Sequence, residues 1–135
     1  TQDEETLSRE LYMNIDQLKC MLRNGMYIGS HGYSHYPLDT LTPEKQEHEV
    51  DLSLDFLKKV GSSTEQWVMC YPSSGYNDSL IEILKRKKCQ FALTTEVGLS
   101  NISKNNAFKL KRLDTNDFPK KENAKATEWT KKVLV

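Results

Sequence analysis

Apolar residues recur at helical spacing in this chain, then bunch into short runs, then recur at helical spacing again. That alternation restricts the fold more than any other feature. NIDQLKCMLRNG reads as a helix: Asn14 caps it, Gln17 completes a capping box, and Ile15, Leu18 and Leu22 form one stripe. Gly25 ends it in the left-handed conformation that glycine tolerates. MYIG follows as a short buried strand. TPEKQEHEVDLSLDFLKKVG is the next helix, with Thr42 as cap, Pro43 in the first turn, Gly61 as stop, and Val50, Leu54 and Leu57 on one face. WVMCY is a strand. The loop PSSGYN leads into the helix DSLIEILKRKK, with Leu80, Ile83 and Leu84 facing inward. QFALT is a strand, TEVGLSNISKNN a loop, and FKLKRL a fourth strand. From 114 on the chain is mostly polar, with Ala126, Trp129 and Val133 as one stripe of a closing helix.

Helix and strand in strict alternation predict an α/β fold with parallel strands. HGYSH, PSSGYN, TTEVG and DTNDF each follow the carboxyl end of a strand, the edge where parallel sheets and barrels gather their chemistry. A full eight-stranded barrel takes about 250 residues. The chain has 135 and about four strands, so we expect a partial, distorted (β/α) barrel with helices outside. Such a piece has two open edges and one uncovered core face, which calls for a missing N-terminal part or for self-association.

Composition removes some functions. Lys plus Arg and Asp plus Glu are both 19, so no basic surplus points to nucleic acid. No apolar stretch reaches membrane-spanning length, and the polar, acidic start TQDEETLSRE is no signal peptide. Cys20, Cys70 and Cys89 are odd in number and form no C-x-x-C pair, which argues against a disulfide framework or zinc knuckle and for a reducing compartment, with localisation left open between cytoplasm and export.

Two of the three histidines, His31 and His35, stand four apart in SHGYSH. Imidazole is the commonest neutral metal ligand, and a helical turn would bring both rings to one point. A catalytic zinc takes three protein ligands, so the pair is an incomplete site wanting a carboxylate. The other reading makes both hydrogen-bonded loop residues. His48, in EKQEHEVD, belongs to a solvated helix face. Tyr71 to Gly75 is turn chemistry after a strand, and without G-x-S-x-G neither Ser73 nor Ser74 is a nucleophile elbow. Cys70 fits the core better than a nucleophile's place. Asp114 and Asp117 either face the site or cap a turn. Arg112, among apolar neighbours in a strand, calls for a carboxylate partner on the same face.

NIDQLKCMLRNGMYIGSHGYSHYPLDTLTPEKQEHEV resembles the polysaccharide deacetylases, the NodB-homology carbohydrate esterases, whose second motif is an H-x-x-x-H pair after a strand. WVMCYPSSGYNDSLIEILKRKKCQFALTTEVG resembles the following stretch, where a strand runs into Y-P-x-G-x-Y-N. ALTTEVG and FKLKRL are similar to the later strands. The resemblance covers about residues 12 to 115, within a single partial domain over 1–135 whose residues 116–135 form a tail.

The resemblance implies that His31 and His35 hold a divalent metal, usually zinc. It implies that Tyr71, Pro72, Ser73, Ser74, Gly75 and Tyr76 line the substrate groove, with Arg112 in support. It also implies hydrolysis of N-acetyl groups on the amino sugars of a glycan. The chain departs from the pattern in several places. The first motif, a T-F-D-D-G-like strand end with the base and third ligand, is absent, so the chain reads as the C-terminal part of a longer parent. Cys70 and Tyr71 stand near the third motif's arginine. Gly32 follows the first histidine in place of Ser or Thr, and no late leucine-histidine motif occurs. The rivals are an inactive deacetylase-like module that binds carbohydrate or a protein partner, and an unrelated α/β domain.

Overall fold

A computed structural model describes residues 3–133. Its helices are α1 (Glu4–Leu11), α2 (Ile15–Arg23), α3 (Pro43–Val60), α4 (Asp78–Arg86) and α5 (Glu128–Val133). Its strands are β1 (Trp67–Cys70), β2 (Cys89–Val97) and β3 (Leu110–Arg112). The sheet has the order β1-β2-β3 and both pairings are parallel, with Met69 opposite Ala92 and Val97 opposite Arg112. The α/β class and the parallel sense are as expected. Three strands pair instead of four, and the described sheet stays open.

The missing strand is MYIG. Only Ser30 pairs with β1: its N–H donates to the Val68 carbonyl at 2.9 Å, and its carbonyl accepts from Cys70 N–H at 2.8 Å. The next ladder bond would join Val68 N–H to the Ile28 carbonyl. Both groups are already engaged. Val68 N–H donates to the Tyr27 phenol oxygen at 2.8 Å, and the Ile28 carbonyl accepts from the Ser62 hydroxyl at 2.8 Å. Met26 and Tyr27 are correspondingly exposed, not buried. β2 is longer than its apolar run, because Thr95 to Val97 continue it. β3 is shorter than FKLKRL.

The helices form where caps and stripes place them. Asn14 and Gln17 make the full capping box, and Gly61 takes φ +90° behind α3. Thr42 occupies the cap position, but its hydroxyl makes no capping bond; Pro43 carries the start. α1 was not anticipated, and it buries no residue. α5 falls where the closing helix was expected, yet Val133 is exposed and Ala126 lies outside it, so the stripe is not a buried one.

The core lies between α3, α4 and one face of the sheet. It holds Leu38, Val50, Leu57, Trp67, Met69, Tyr71, Leu80, Ile83, Leu84, Cys89 and Ala92. Val68 and Cys70 alternate with Trp67 and Met69 and turn to the other face. Over β2 and β3 that face carries an open groove of about 820 Å³ among Phe91, Leu93, Leu99 and Ile102.

All three cysteines are free. Burial pushes the Cys89 thiol up to about 12 and raises that of Cys70. A raised pKa leaves little thiolate, the reactive form. Iodoacetamide at pH 8 should therefore label exposed Cys20 and spare Cys89 until the chain unfolds, as read by mass spectrometry. Rapid labelling of Cys89 in the native chain would contradict its burial.

Candidate functional site

The strand-end loops do meet. Ser30 ends the pairing with β1, and the chain leaves the sheet directly into His31. His31 Nδ1 lies 2.8 Å from the Cys70 carbonyl oxygen. A carbonyl only accepts, so Nδ1 is the donor, and in the neutral ring the lone pair lies on Nε2. The backbone contact thus orients the ring and leaves Nε2 as the nitrogen free to accept. His35 meets it edge-on, with ring centroids 4.8 Å apart.

The expected helical turn is not what joins the rings. Gly32 at φ +74° and His35 at φ +59° fold the loop back through two left-handed residues. At Gly32 a Cβ would also stand 3.3 Å from Pro72 Cγ. Glycine after the first histidine thus fits both the backbone and the neighbouring loop.

That loop is clamped by three polar residues of α3. Glu49 Oε2 accepts from the backbone N–H of Tyr33 (3.2 Å) and Ser34 (2.8 Å), and Oε1 accepts from the Ser34 hydroxyl (2.8 Å). The Ser53 and Ser30 hydroxyls are 2.6 Å apart. Gln46 donates to the Leu38 carbonyl (2.8 Å) and to Asn77 Oδ1 (3.1 Å), and accepts from the Ser79 hydroxyl (2.5 Å). All three α3 side chains are buried. EKQEHEVD is therefore only partly a solvated face: His48 is exposed as expected, while Gln46 and Glu49 point inward. Sequence reading missed them, although 46, 49 and 53 share the helical period of Val50, Leu57 and Val60.

The loop after β1 forms a tight turn, Pro72–Ser74, in which Ser73 and Ser74 both have positive φ (51° and 57°). The Ser74 hydroxyl lies 2.5 Å from Thr95 Oγ1 and accepts from Thr95 N–H, which ties the turn to β2. At Gly75 a Cβ would fall 2.4 Å from Asp39 Oδ1, so the return of the histidine loop packs directly on this turn. Tyr71 does not face outward. It is fully buried, its hydroxyl donates to the Phe108 carbonyl at 3.0 Å, and its ring stacks on Tyr76 at 4.8 Å. Pro72 and Gly75 are buried too, while Ser73 is exposed and Ser74 and Tyr76 are half-buried. The side chain of Tyr71 thus supports the turn from beneath.

Arg112 is exposed at the end of β3, not enclosed by apolar neighbours, and shares a small cleft with Thr95, Val97 and Asp114. Asp114 is the carboxylate that feels its charge. The Asn116 backbone N–H does most to hold Asp114 below the usual carboxylate range, with Arg112 adding to it. Arg112 also acts on the Cys70 thiol, where burial outweighs it. Asp114 and Asp117 form a capping box at the start of the short turn Thr115–Asp117: Asp114 Oδ1 accepts from Asn116 N–H, and Asp117 Oδ2 accepts from Asp114 N–H. Among the described residues no three His, Cys, Asp or Glu side chains lie together in a way that could hold a metal ion. His31 and His35 stand together as a pair of imidazoles.

A histidine pair at the carboxyl edge of a parallel sheet, with hydroxyl-bearing turns beside it, has the layout of an α/β enzyme domain. The chain belongs to the polysaccharide deacetylase family, whose sequence profile matches residues 6–92. The Bacillus subtilis (strain 168) protein named "Putative polysaccharide deacetylase YxkH" is 25% identical over 97 residues, 72% of this chain and 34% of YxkH. The Streptococcus pyogenes deacetylase PplD, solved in complex with acetate, superposes with a TM-score of 0.69 at 28% identity, over 79% of this chain and 46% of PplD. The family 4 carbohydrate esterase from Streptomyces lividans, also with acetate, shares the fold at a TM-score of 0.56 and 17% identity, over 62% of this chain and 43% of the esterase. The chain thus spans about a third of the curated relative and under half of each solved structure. Among the described residues no helix is long and apolar enough to cross a membrane.

Proposed function

We propose that this chain contributes the histidine half of a metal-assisted site that removes N-acetyl groups from the amino sugars of a glycan. The observation that carries the reading is the His31–His35 pair, set at a strand end with the His31 Nδ1 proton directed to the Cys70 carbonyl. Family membership and the acetate-bound deacetylase PplD support the substrate class.

His31 and His35 would hold a divalent metal, zinc by the family resemblance. Such an ion supplies Lewis acidity to an amide carbonyl and to water. The chain's own groups do the rest of what it offers. The Cys70 carbonyl retains the proton at His31 Nδ1, and so keeps Nε2 available. Ser73, Ser74 and Tyr76 form the reachable part of a sugar groove, over a floor of Tyr71, Pro72 and Gly75. Arg112 brings positive charge to the same edge. The third ligand and the base would come from family strands outside the span matched here. Those strands would also close the barrel around a single domain, with 12–115 as its core and 116–135 as its tail.

Acetate release from N-acetylated amino-sugar oligomers tests this on the protein expressed from its natural reading frame. Release that a chelator stops and His31→Ala abolishes is the expected result. Release indifferent to His31→Ala would remove the histidine from the site. A second reading, a non-catalytic module that binds glycan or a protein partner, is favoured by the lack of a third ligand among the described residues. Glycan binding with no acetate release would select it.

A further inference from the structure

We propose that Glu49 is a positioning residue for the histidine pair, holding the loop so that both imidazoles converge; the part of this inference that concerns metal rests on the reading above.

The match of acceptors to donors carries the argument. Glu49 is 7% exposed and reaches the loop from the helix that forms its wall. An ionised carboxylate offers only acceptors. The loop presents three donors to it: the N–H of Tyr33, the N–H of Ser34 and the Ser34 hydroxyl, at 3.2, 2.8 and 2.8 Å. These are the two residues just before His35, which is held at φ +59°. Left-handed backbone is strained for a residue other than glycine and persists only where its surroundings impose it. Charge-assisted bonds to the preceding residues are such an imposition. One helical turn further on, Ser53 fixes Ser30, the residue before His31. A single face of α3 thus grips the loop immediately before each histidine. The rest of that face is anchored by Val50 and Leu57, so the grip has a rigid base. A merely structural role for Glu49 would show as a uniform loss of stability. A positioning role is local.

Glu49→Gln keeps the volume but removes the charge and leaves one acceptor oxygen where there were two, so the three loop donors no longer all meet a charged acceptor. On the metal-free chain, NMR should show the Tyr33 and Ser34 amides exchanging at least about tenfold faster, with α3 and β1 amides unchanged. The His31 and His35 imidazole nitrogen signals should shift. Zinc affinity, by calorimetric titration, should fall about 10- to 100-fold, the range typical of groups that orient ligands. Unchanged imidazole signals and affinity would overturn the proposal, as would protection lost evenly across the domain. Should Glu49→Gln fail to fold, Ser34→Ala removes one of the three bonds from the exposed side. It should produce the same imidazole shifts in smaller measure, and their absence would equally overturn the proposal. The two readings fail separately. If the wild-type chain takes up no zinc while the imidazole signals still follow Glu49, the metal reading falls alone. If zinc binds the Glu49→Gln chain as tightly as wild type, with imidazole signals unchanged, only the positioning role falls.

Discussion

Replacing His31 with alanine is expected to lower the zinc affinity of this chain by more than about 100-fold, beyond what loss of an orienting group produces. His35→Ala should do the same, and the double variant little more, because two ligands acting on one ion are not additive. The physical ground is the tautomer. His31 Nδ1 donates to the Cys70 carbonyl, so in the neutral ring Nε2 is the nitrogen with a lone pair, and the His35 ring stands beside it with centroids 4.8 Å apart. Both residues are exposed and outside the core, so their removal should leave thermal unfolding nearly unchanged. Calorimetric zinc titration together with a thermal melt separates the two effects. Full affinity retained by either single variant would mean that the rings are loop residues and nothing more. His48→Ala is the matched control: it lies exposed on α3 and should leave zinc binding intact.

What could be read in the sequence follows from what periodicity measures. An apolar stripe reports a buried face, so Leu80, Ile83 and Leu84 of α4 and Val50 and Leu57 of α3 came out correctly. Strand-end placement was equally legible, because parallel order follows from alternation, and it brought the histidine loop beside the turn after β1. The MYIG strand failed for a reason composition does not carry: the Tyr27 and Ser62 hydroxyls take the two backbone groups that a ladder needs. The burial of Tyr71 was not legible either. The residue reads as part of a turn, but its hydroxyl finds a carbonyl partner at Phe108, 37 residues on, and the ring can therefore be buried.

The α3 clamp shows the limit most clearly. Gln46, Glu49 and Ser53 are polar, so they weaken the stripe that would reveal them, and their neighbours Glu47 and His48 are the solvated residues they resemble. Glu47 pairs with Arg86 and Lys87 on the surface, while Glu49, two residues on, is buried with its carboxylate on the loop. Only the phase of the helix distinguishes them. A polar residue in phase with a buried apolar stripe must find partners or it costs stability, so such a position marks a structured loop above it.

Trp67→Ala is expected to destabilise the domain by about 3–5 kcal/mol, a large share of the roughly 5–15 kcal/mol that holds domains of this size together. Trp67 opens β1, is fully buried at the centre of the core, and donates from Nε1 to the Lys87 carbonyl at 2.8 Å. Lys87 is the residue that ends α4, so the indole both fills the space between helix and sheet and satisfies a carbonyl at a helix terminus. Trp67→Phe separates these roles. It keeps an aromatic ring and loses the donor, and should cost less, about 1–3 kcal/mol for the carbonyl left without a partner. Urea unfolding followed by circular dichroism measures both variants. Equal costs would mean that the hydrogen bond, not the volume, dominates. Costs below about 1 kcal/mol for Trp67→Ala would show that the core does not centre there. The site offers a further check, because the strand that Trp67 opens ends at Cys70, whose carbonyl sets the His31 tautomer. Folded Trp67→Phe should retain wild-type zinc affinity, since Ser30 and Leu93 still hold that end of β1 in register.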